Sequence, residues 1–195
     1  MTTRVISYGG GVQSTAMVVL ATQGKIDATV AIFANTGDDS ESIPTLEYVR
    51  TVAVPWAAER GVTIHEIRHT RRDGTTYPTL LEYHKEQVER NGGTPLPVKM
   101  NGTGNGGIAN RTCTIEWKVR PVSKWLRAAG ATREQPMEIA LGISTDEIQR
   151  MNNSHDKPYE RRVFPLIDLR LSRNDCTSII KAAGLPVPPK SACWF

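Results

Sequence analysis

Long apolar runs, cysteines and aromatic side chains are all scarce in this 195-residue chain, with aromatics at 6% and three cysteines. No run approaches the roughly 20 apolar residues that cross a bilayer. The opening Met1-Thr2-Thr3-Arg4 leads straight into a strand-like run, with neither a secretory nor a transit-peptide pattern. A soluble, cytoplasmic chain without a membrane partner is expected. Cys113, Cys176 and Cys193 are odd in number, which argues against a disulfide framework and for free thiols or metal ligation. Charge of one sign is lacking too: 24 Lys and Arg against 20 Asp and Glu leave a net +4. That mild surplus suits an anionic small molecule or weak contact with nucleic acid, and no dense basic arm is present. Its sharpest clusters are Arg68, Arg71 and Arg72, then Arg161 and Arg162.

What is present is ordinary globular composition. Hydrophobic residues at 39% and charged residues at 23% exclude disordered, collagen-like and coiled-coil chains. A chain this long buries roughly 70% of its unfolded surface without staples, and reads as one domain, 1–195, with a cysteine-containing tail at 185–195. Its first third alternates strand and helix. Arg4-Val5-Ile6-Ser7 predicts a strand, 14–23 a helix stopped by Gly24, and 28–34 a strand buried on both faces. Ser42 caps a helix running toward Arg60 with a kink at Pro55, and 62–67 is a third strand. A helix over 79–90, a glycine-rich loop over 91–110 and a helix over 115–129 bent near Pro121 follow. Strands at 137–141 and 162–166 and a helix over 172–183 complete the pattern. The expected architecture is a three-layer α/β sandwich around a mainly parallel sheet of about five strands.

The most informative stretch is Ser7-Tyr8-Gly9-Gly10-Gly11-Val12-Gln13-Ser14-Thr15. Three glycines between a buried strand and a helix permit positive φ and close approach of backbone to a ligand. The free N–H groups opening the helix, with its dipole, suit phosphate or sulfate, and Ser7, Ser14 and Thr15 add hydroxyls. No Gly-Lys-Ser/Thr ends the turn, so it is not a Walker loop.

These residues resemble the pyrophosphate loop of the adenine nucleotide alpha-hydrolase-like (PP-loop) superfamily, specifically its phosphoadenosine phosphosulfate (PAPS) reductase-like branch. Phe33-Ala34-Asn35-Thr36-Gly37-Asp38 resembles the branch's second-strand segment, which implies that Asn35, Thr36 and Gly37 border base and ribose. Arg111-Thr112-Cys113-Thr114 with Lys118 and Pro121 resembles its Cys-Cys-x-x-Arg-Lys-x-x-Pro segment. Gly142-Ile-Ser-Thr-Asp146-Glu147 with Arg150 resembles a further glycine–acidic segment, and Pro165-Leu166 and Ser191-Ala192-Cys193 match its endings more loosely. The resemblance implies an enzyme of adenylyl or sulfur transfer that binds ATP or PAPS. Gly9, Gly10, Gly11, Gln13, Ser14, Thr15 and Gly142 would lie at the nucleotide, and Lys118, Arg111 and Arg150 would stabilise developing charge. With ATP, Mg²⁺ is expected, and Asp38 is the candidate ligand. A sulfur donor protein and a tRNA or DNA acceptor are the partners implied by a nucleobase-thiolating alternative. A non-catalytic nucleotide-binding module is the other alternative.

The sequence departs from the family pattern where it matters. Val12 and Gln13 stand at the loop's lysine and aspartate positions, so its positive charge must come from Lys118, Arg111 or Arg150. The redox-active Glu-Cys-Gly-x-His tail is absent. Members specific for adenylyl sulfate hold a [4Fe–4S] cluster on a cysteine pair and a Cys-x-x-Cys. Here Thr114 follows Cys113, and Cys193 stands where the Cys-x-x-Cys would begin. Cys113, Cys176 and Cys193 thus leave open a cluster, a zinc site or unrelated thiols.

Two motif matches are expected to be decoys. His65-Glu66-Ile67-Arg68-His69 spells a zinc-protease motif that works on a helix. Here it continues a strand pattern, where residues four apart lie about 13 Å from each other. Gly102-x-Gly104-x-x-Gly107 spells a dinucleotide fingerprint without a strand before it or a helix after it.

Overall fold

The computed structural model describes residues 3–71, 73–92, 98–99, 108–109, 114–151 and 156–191. Its centre is a five-stranded sheet in which β1 (Arg4–Tyr8), β2 (Val30–Asn35), β3 (Thr63–Arg68), β6 (Met137–Ala140) and β7 (Glu160–Val163) run in the order β3-β2-β1-β6-β7. All four pairings are parallel. The expected mainly parallel sheet is therefore entirely parallel. Two further strands, β4 (Val98–Lys99) and β5 (Ile108–Ala109), pair antiparallel with each other, inside the stretch expected to be a loop.

Period-two alternation divides the central strands between two apolar layers. Ile6, Tyr8, Ala31 and Phe33 face α1 (Val12–Thr22), whereas Val5, Ile32, Ala34 and Ile139 face Val122, Leu126 and Ala131. Helix α1 is buried at every position from Val12 to Leu20. A helix apolar nearly all round must be covered all round, and α1 lies between the sheet and two helical segments, 43–58 and Arg173–Ala182. Full burial of a side chain such as Leu20 stabilises the fold by about 1.5–3 kcal/mol.

The two proline-containing helices differ from expectation. Helix α2, over 43–58, joins Ile43–Tyr48, a π-helical turn Val49–Ala53 and Val54–Ala58, and its dihedrals stay helical through both junctions. After α3 (Leu80–Asn91), α4 repeats the device, with a π turn Ile115–Val119 followed by Arg120–Ala128. Each π turn ends two residues before a proline, Pro55 or Pro121. Proline cannot donate to the carbonyl four residues back and its ring crowds it. A wider turn at that point accommodates both defects, and no break in the helical dihedrals is needed.

The last expected strand, 162–166, is also shorter than its apolar pattern. Pro165 opens a one-turn helix, α5 (Pro165–Asp168), so β7 stops at Val163. Helix α6 (Arg173–Ala182) is capped as expected: Ser172 accepts from the Asp175 N–H and the Asp175 side chain returns to the Ser172 N–H. Among the described residues no helix is long and apolar enough to cross a membrane.

Candidate functional site

From β1 the chain winds outward through β2 and β3, then returns to place β6 on the other side of β1. Connections leave β1 and β6 in opposite directions, which opens a crevice beyond their carboxyl ends, where ligands of open α/β sheets bind. The glycine turn falls there. Gly10 adopts φ +71, and a Cβ on it would lie 2.8 Å from Thr45 Cγ2. Gly11 is the N-cap of α1, which begins at Val12, two residues earlier than the first hydroxyl predicts. The cap uses no side chain. Instead the Ser14 hydroxyl accepts from the Gly9 N–H (3.2 Å) and donates to the Gly11 carbonyl (3.1 Å), cinching the turn. The opening residues of α1, Val12, Gln13 and Ser14, line the crevice, and the first N–H groups of a helix have no intrahelical acceptors. Gly142, at the end of β6, packs against the same turn, and a Cβ on it would lie 3.1 Å from the Ser14 nitrogen.

Two adjoining cavities share this floor. The first, about 360 Å³, is polar and brings together Ser7, Gly9, Gly11, Gln13, Ser14 and Gly142 with Arg150, Arg173 and Lys190. The second, about 370 Å³, lies over the strand ends, with Phe33, Ala34 and Leu141 opposite Lys118 and Val122. Ser7, Gly9 and Arg150 line both. A charged end thus continues into an apolar end, the division a nucleotide presents.

The charge that Val12 and Gln13 fail to supply comes from three separate elements. Arg150 pairs with Glu147 at 2.7 Å; Arg173, at the start of α6, donates to Gln13 Oε1 at 3.2 Å; Lys190 lies in the proline-rich tail. Gln13 also donates to Glu147 at 3.2 Å, so it braces two of the side chains around the pocket. Arg173 was not legible as a site residue, because in sequence it is one arginine after a helix cap. Lys118 reaches the apolar cavity and pairs at 3.0 Å with the fully buried carboxylate of Glu41.

Several predicted residues take other positions. The Thr15 hydroxyl lies 3.3 Å from Tyr8 Oη, and burial raises the Tyr8 phenol above its ordinary range. Asn35, Thr36 and Gly37 do not line either cavity; Phe33 and Ala34, just upstream, line the second. Asn35 instead donates to Asp38 and Glu66 and accepts from the Gly37 N–H, while the Thr36 carbonyl receives Leu80 N–H. These residues hold the β2 end against α3. Arg111, Cys113 and Cys193 lie outside the described residues, as do Arg72 and the 102–107 glycine motif.

Of the expected metal ligands, the two described ones, Asp38 and Cys176, do not fit a metal where they stand. Asp38 accepts from Asn35, Arg50 and Arg68 at 2.8–3.0 Å, and the two guanidinium groups, with Asn35, hold its carboxyl well below the usual carboxylate range. A cation there would have to displace two arginines. Cys176 is fully buried in the apolar layer with Leu166 and Ile180, and burial pushes its thiol up to about 11. Among the described residues no group of three His, Cys, Asp or Glu could hold a metal ion. The zinc-protease motif lies in β3 and just beyond its end: His65 packs on Trp125, and His69 stacks on Tyr77 at 4.4 Å. Burial lowers the His69 pKa.

The Cys176 environment makes a direct prediction. Its thiol, raised from about 9 to about 11, favours folding fully below pH 9, and that contribution is lost as pH rises through 11. At pH 8, iodoacetamide followed by peptide mapping should leave Cys176 unmodified in native protein and modify it fully in urea. Rapid native labelling would show that the thiol is accessible.

An open parallel α/β sheet with a glycine-rich turn at its switch point belongs to the doubly wound class, in which ligands sit beyond the carboxyl ends of the strands. Among solved structures, PAPS reductase from Candida auris, a phosphate complex, superposes with a TM-score of 0.59 at 12% identity, covering 100% of this chain and 82% of that one. The U34-tRNA thiolase NcsA from Methanococcus maripaludis, with its [4Fe–4S] cluster, superposes at 0.56 with 15% identity, covering 100% of this chain and 60% of that one. The chain has the PAPS reductase-like, adenine nucleotide alpha-hydrolase-like fold. No family model and no curated protein matches its sequence.

Proposed function

We propose that the chain is a PAPS reductase-like, nucleotide-binding enzyme of adenylyl or sulfur transfer, taking ATP or PAPS across the paired cavities. The observation that carries this reading is the convergence of Arg150, Arg173 and Lys190 on the amides of one glycine turn, continuous with an apolar cleft. In this reading the amides at the opening of α1, from Gly11 to Ser14, hold phosphate oxygens, with the Ser14 hydroxyl, bonded to the Gly9 N–H, fixing the loop's shape. The base rests over Phe33 and Ala34. Arg150, which lines both cavities, lies where charge develops at phosphorus, and Lys118 approaches from the nucleoside side. With ATP, an acceptor oxygen attacks the α-phosphorus and pyrophosphate leaves, and a sulfur donor then displaces AMP from the adenylated acceptor.

Isothermal titration with ATP and PAPS tests the reading. Arg150→Ala and Arg173→Ala each remove a charge-assisted contact worth about 1.5–3 kcal/mol, so each should weaken binding roughly 10–100-fold. Thermal stability should stay close to the parent's, because both side chains are exposed. Failure of both ligands to bind, or unchanged affinity in both variants, overturns it.

A further inference from the structure

A third cavity, about 820 Å³, lies on the α4 side of the sheet, away from the glycine turn. Among the described residues its lining contains Arg120, Lys124, Arg127 and Lys157 and no carboxylate. Arg120, Lys124 and Arg127 are spaced i, i+4 and i+7 on α4, so they fall on one face. Seven residues of helix rise about 10 Å. A row this long can meet more than one phosphate of an extended strand, whereas a single small anion spans only part of it.

The cations are held in place but not all neutralised. Arg120 pairs with Glu116, and Lys157 lies 3.8 Å from the buried Glu160. Lys124 is anchored by neutral oxygens, Thr70 Oγ1 at 2.6 Å and the Arg71 carbonyl at 3.0 Å. The Arg127 guanidinium lies 5.5 Å over the Tyr159 ring, and Lys157 lies 5.8 Å from the same ring. Guanidinium groups and aromatic rings are surfaces on which exposed bases pack, which an acidic peptide does not require.

The groove also shares a wall with the nucleoside cleft. Ser123 lines both cavities. It receives a hydrogen bond from Lys157, on the groove side, and donates one to Glu160, on the cleft side, both at 2.6 Å. We propose that this groove binds the phosphodiester backbone of a single-stranded nucleic-acid segment and presents it beside the nucleoside cleft. The inference rests on the groove's own cations and is independent of which nucleotide the glycine turn takes.

Fluorescence anisotropy with labelled 15-nucleotide RNA and DNA, run on the whole protein at several salt concentrations, tests the proposal. The parent should bind at low salt, and the Lys124→Gln/Arg127→Gln variant should bind at least tenfold more weakly. Loss of two phosphate contacts should lower the slope of log affinity against log salt by about 1.4. Because Lys124 also ties down the 70–71 segment, Arg127→Gln alone provides a second variant, with an expected fall of about 0.7 in slope. ATP titration of the same variants should be unchanged, which separates this groove from the nucleotide site. The proposal is overturned if the parent binds neither oligonucleotide, if the variants bind them with the parent's affinity and slope, or if polyglutamate of equal charge competes as well as RNA.

Discussion

Gly10→Val should both destabilise the fold and abolish nucleotide binding, the largest effect expected of any single change at the site. Gly10 sits at φ +71, and the added Cβ would meet Thr45 Cγ2 at 2.8 Å and Val49 Cγ2 at 3.1 Å. Both neighbours are buried on α2, so neither can swing into solvent. The left-handed conformation costs an L residue about 1–2 kcal/mol, and overpacking adds about 1–3 kcal/mol. Urea denaturation should therefore show a loss of about 2–5 kcal/mol. Relief of the clash moves the turn, misaligning amides that must lie within hydrogen-bond reach of the oxyanion, and affinity for ATP and PAPS should fall more than 100-fold. Gly9→Ala is the internal control. A Cβ there meets nothing within 4 Å of it, and Gly9 is exposed at the cavity floor. Its stability should be nearly unchanged, with any effect confined to binding. A Gly10→Val protein with parental stability and affinity would show that the turn is not where the oxyanion rests.

Lys118→Met should strand a buried charge. Glu41 is fully buried, and its Oε2 depends on the Lys118 ammonium at 3.0 Å with the Thr36 hydroxyl at a marginal 3.4 Å. Its Oε1 has no hydrogen-bond partner among the described residues. Breaking a buried pair by removing one partner costs about 3–5 kcal/mol, and the low end applies because Lys118 is 34% exposed. Adding Glu41→Gln to Lys118→Met removes the uncompensated charge and should recover more than half of that loss in a double-mutant cycle. If Lys118→Met costs less than about 1 kcal/mol, the pair behaves as a surface ion pair and Glu41 is not what positions Lys118.

The parallel sheet, the glycine turn and its place between β1 and α1 were legible from the residues, because each depends on local pattern. β-branched apolar runs make buried parallel strands, and the glycine run supplies at Gly10 the positive φ that other residues rarely adopt. Proline-interrupted helices were legible as helices, but their π turns were not, since hydrogen-bond register over five residues leaves no periodic mark. The cations of the polar cavity were only partly legible. Arg150 stands in a resembling segment and Lys190 beside a loosely resembling one, whereas Arg173 reaches the pocket from a helix start that carries no such mark.

Asn35 and Asp38 show the converse. Their residue types suit a nucleotide and a cation, but Arg50 and Arg68 from α2 and β3 take up Asp38, and Asn35 ties together the end of β2. Cys176 likewise has a ligand's chemistry and a core residue's surroundings.

The amino-acid order by itself thus determined the three-layer α/β scheme with a mainly parallel sheet and the glycine turn after its first strand, because backbone conformation follows from near neighbours along the chain. Which charged side chains surround that turn, which polar groups are consumed in bracing the fold, and where a second cationic groove abuts the cleft were decided by tertiary structure. Those outcomes depend on which distant residues the strand order brings within a few ångströms, and short-range electrostatics and packing act only at that range.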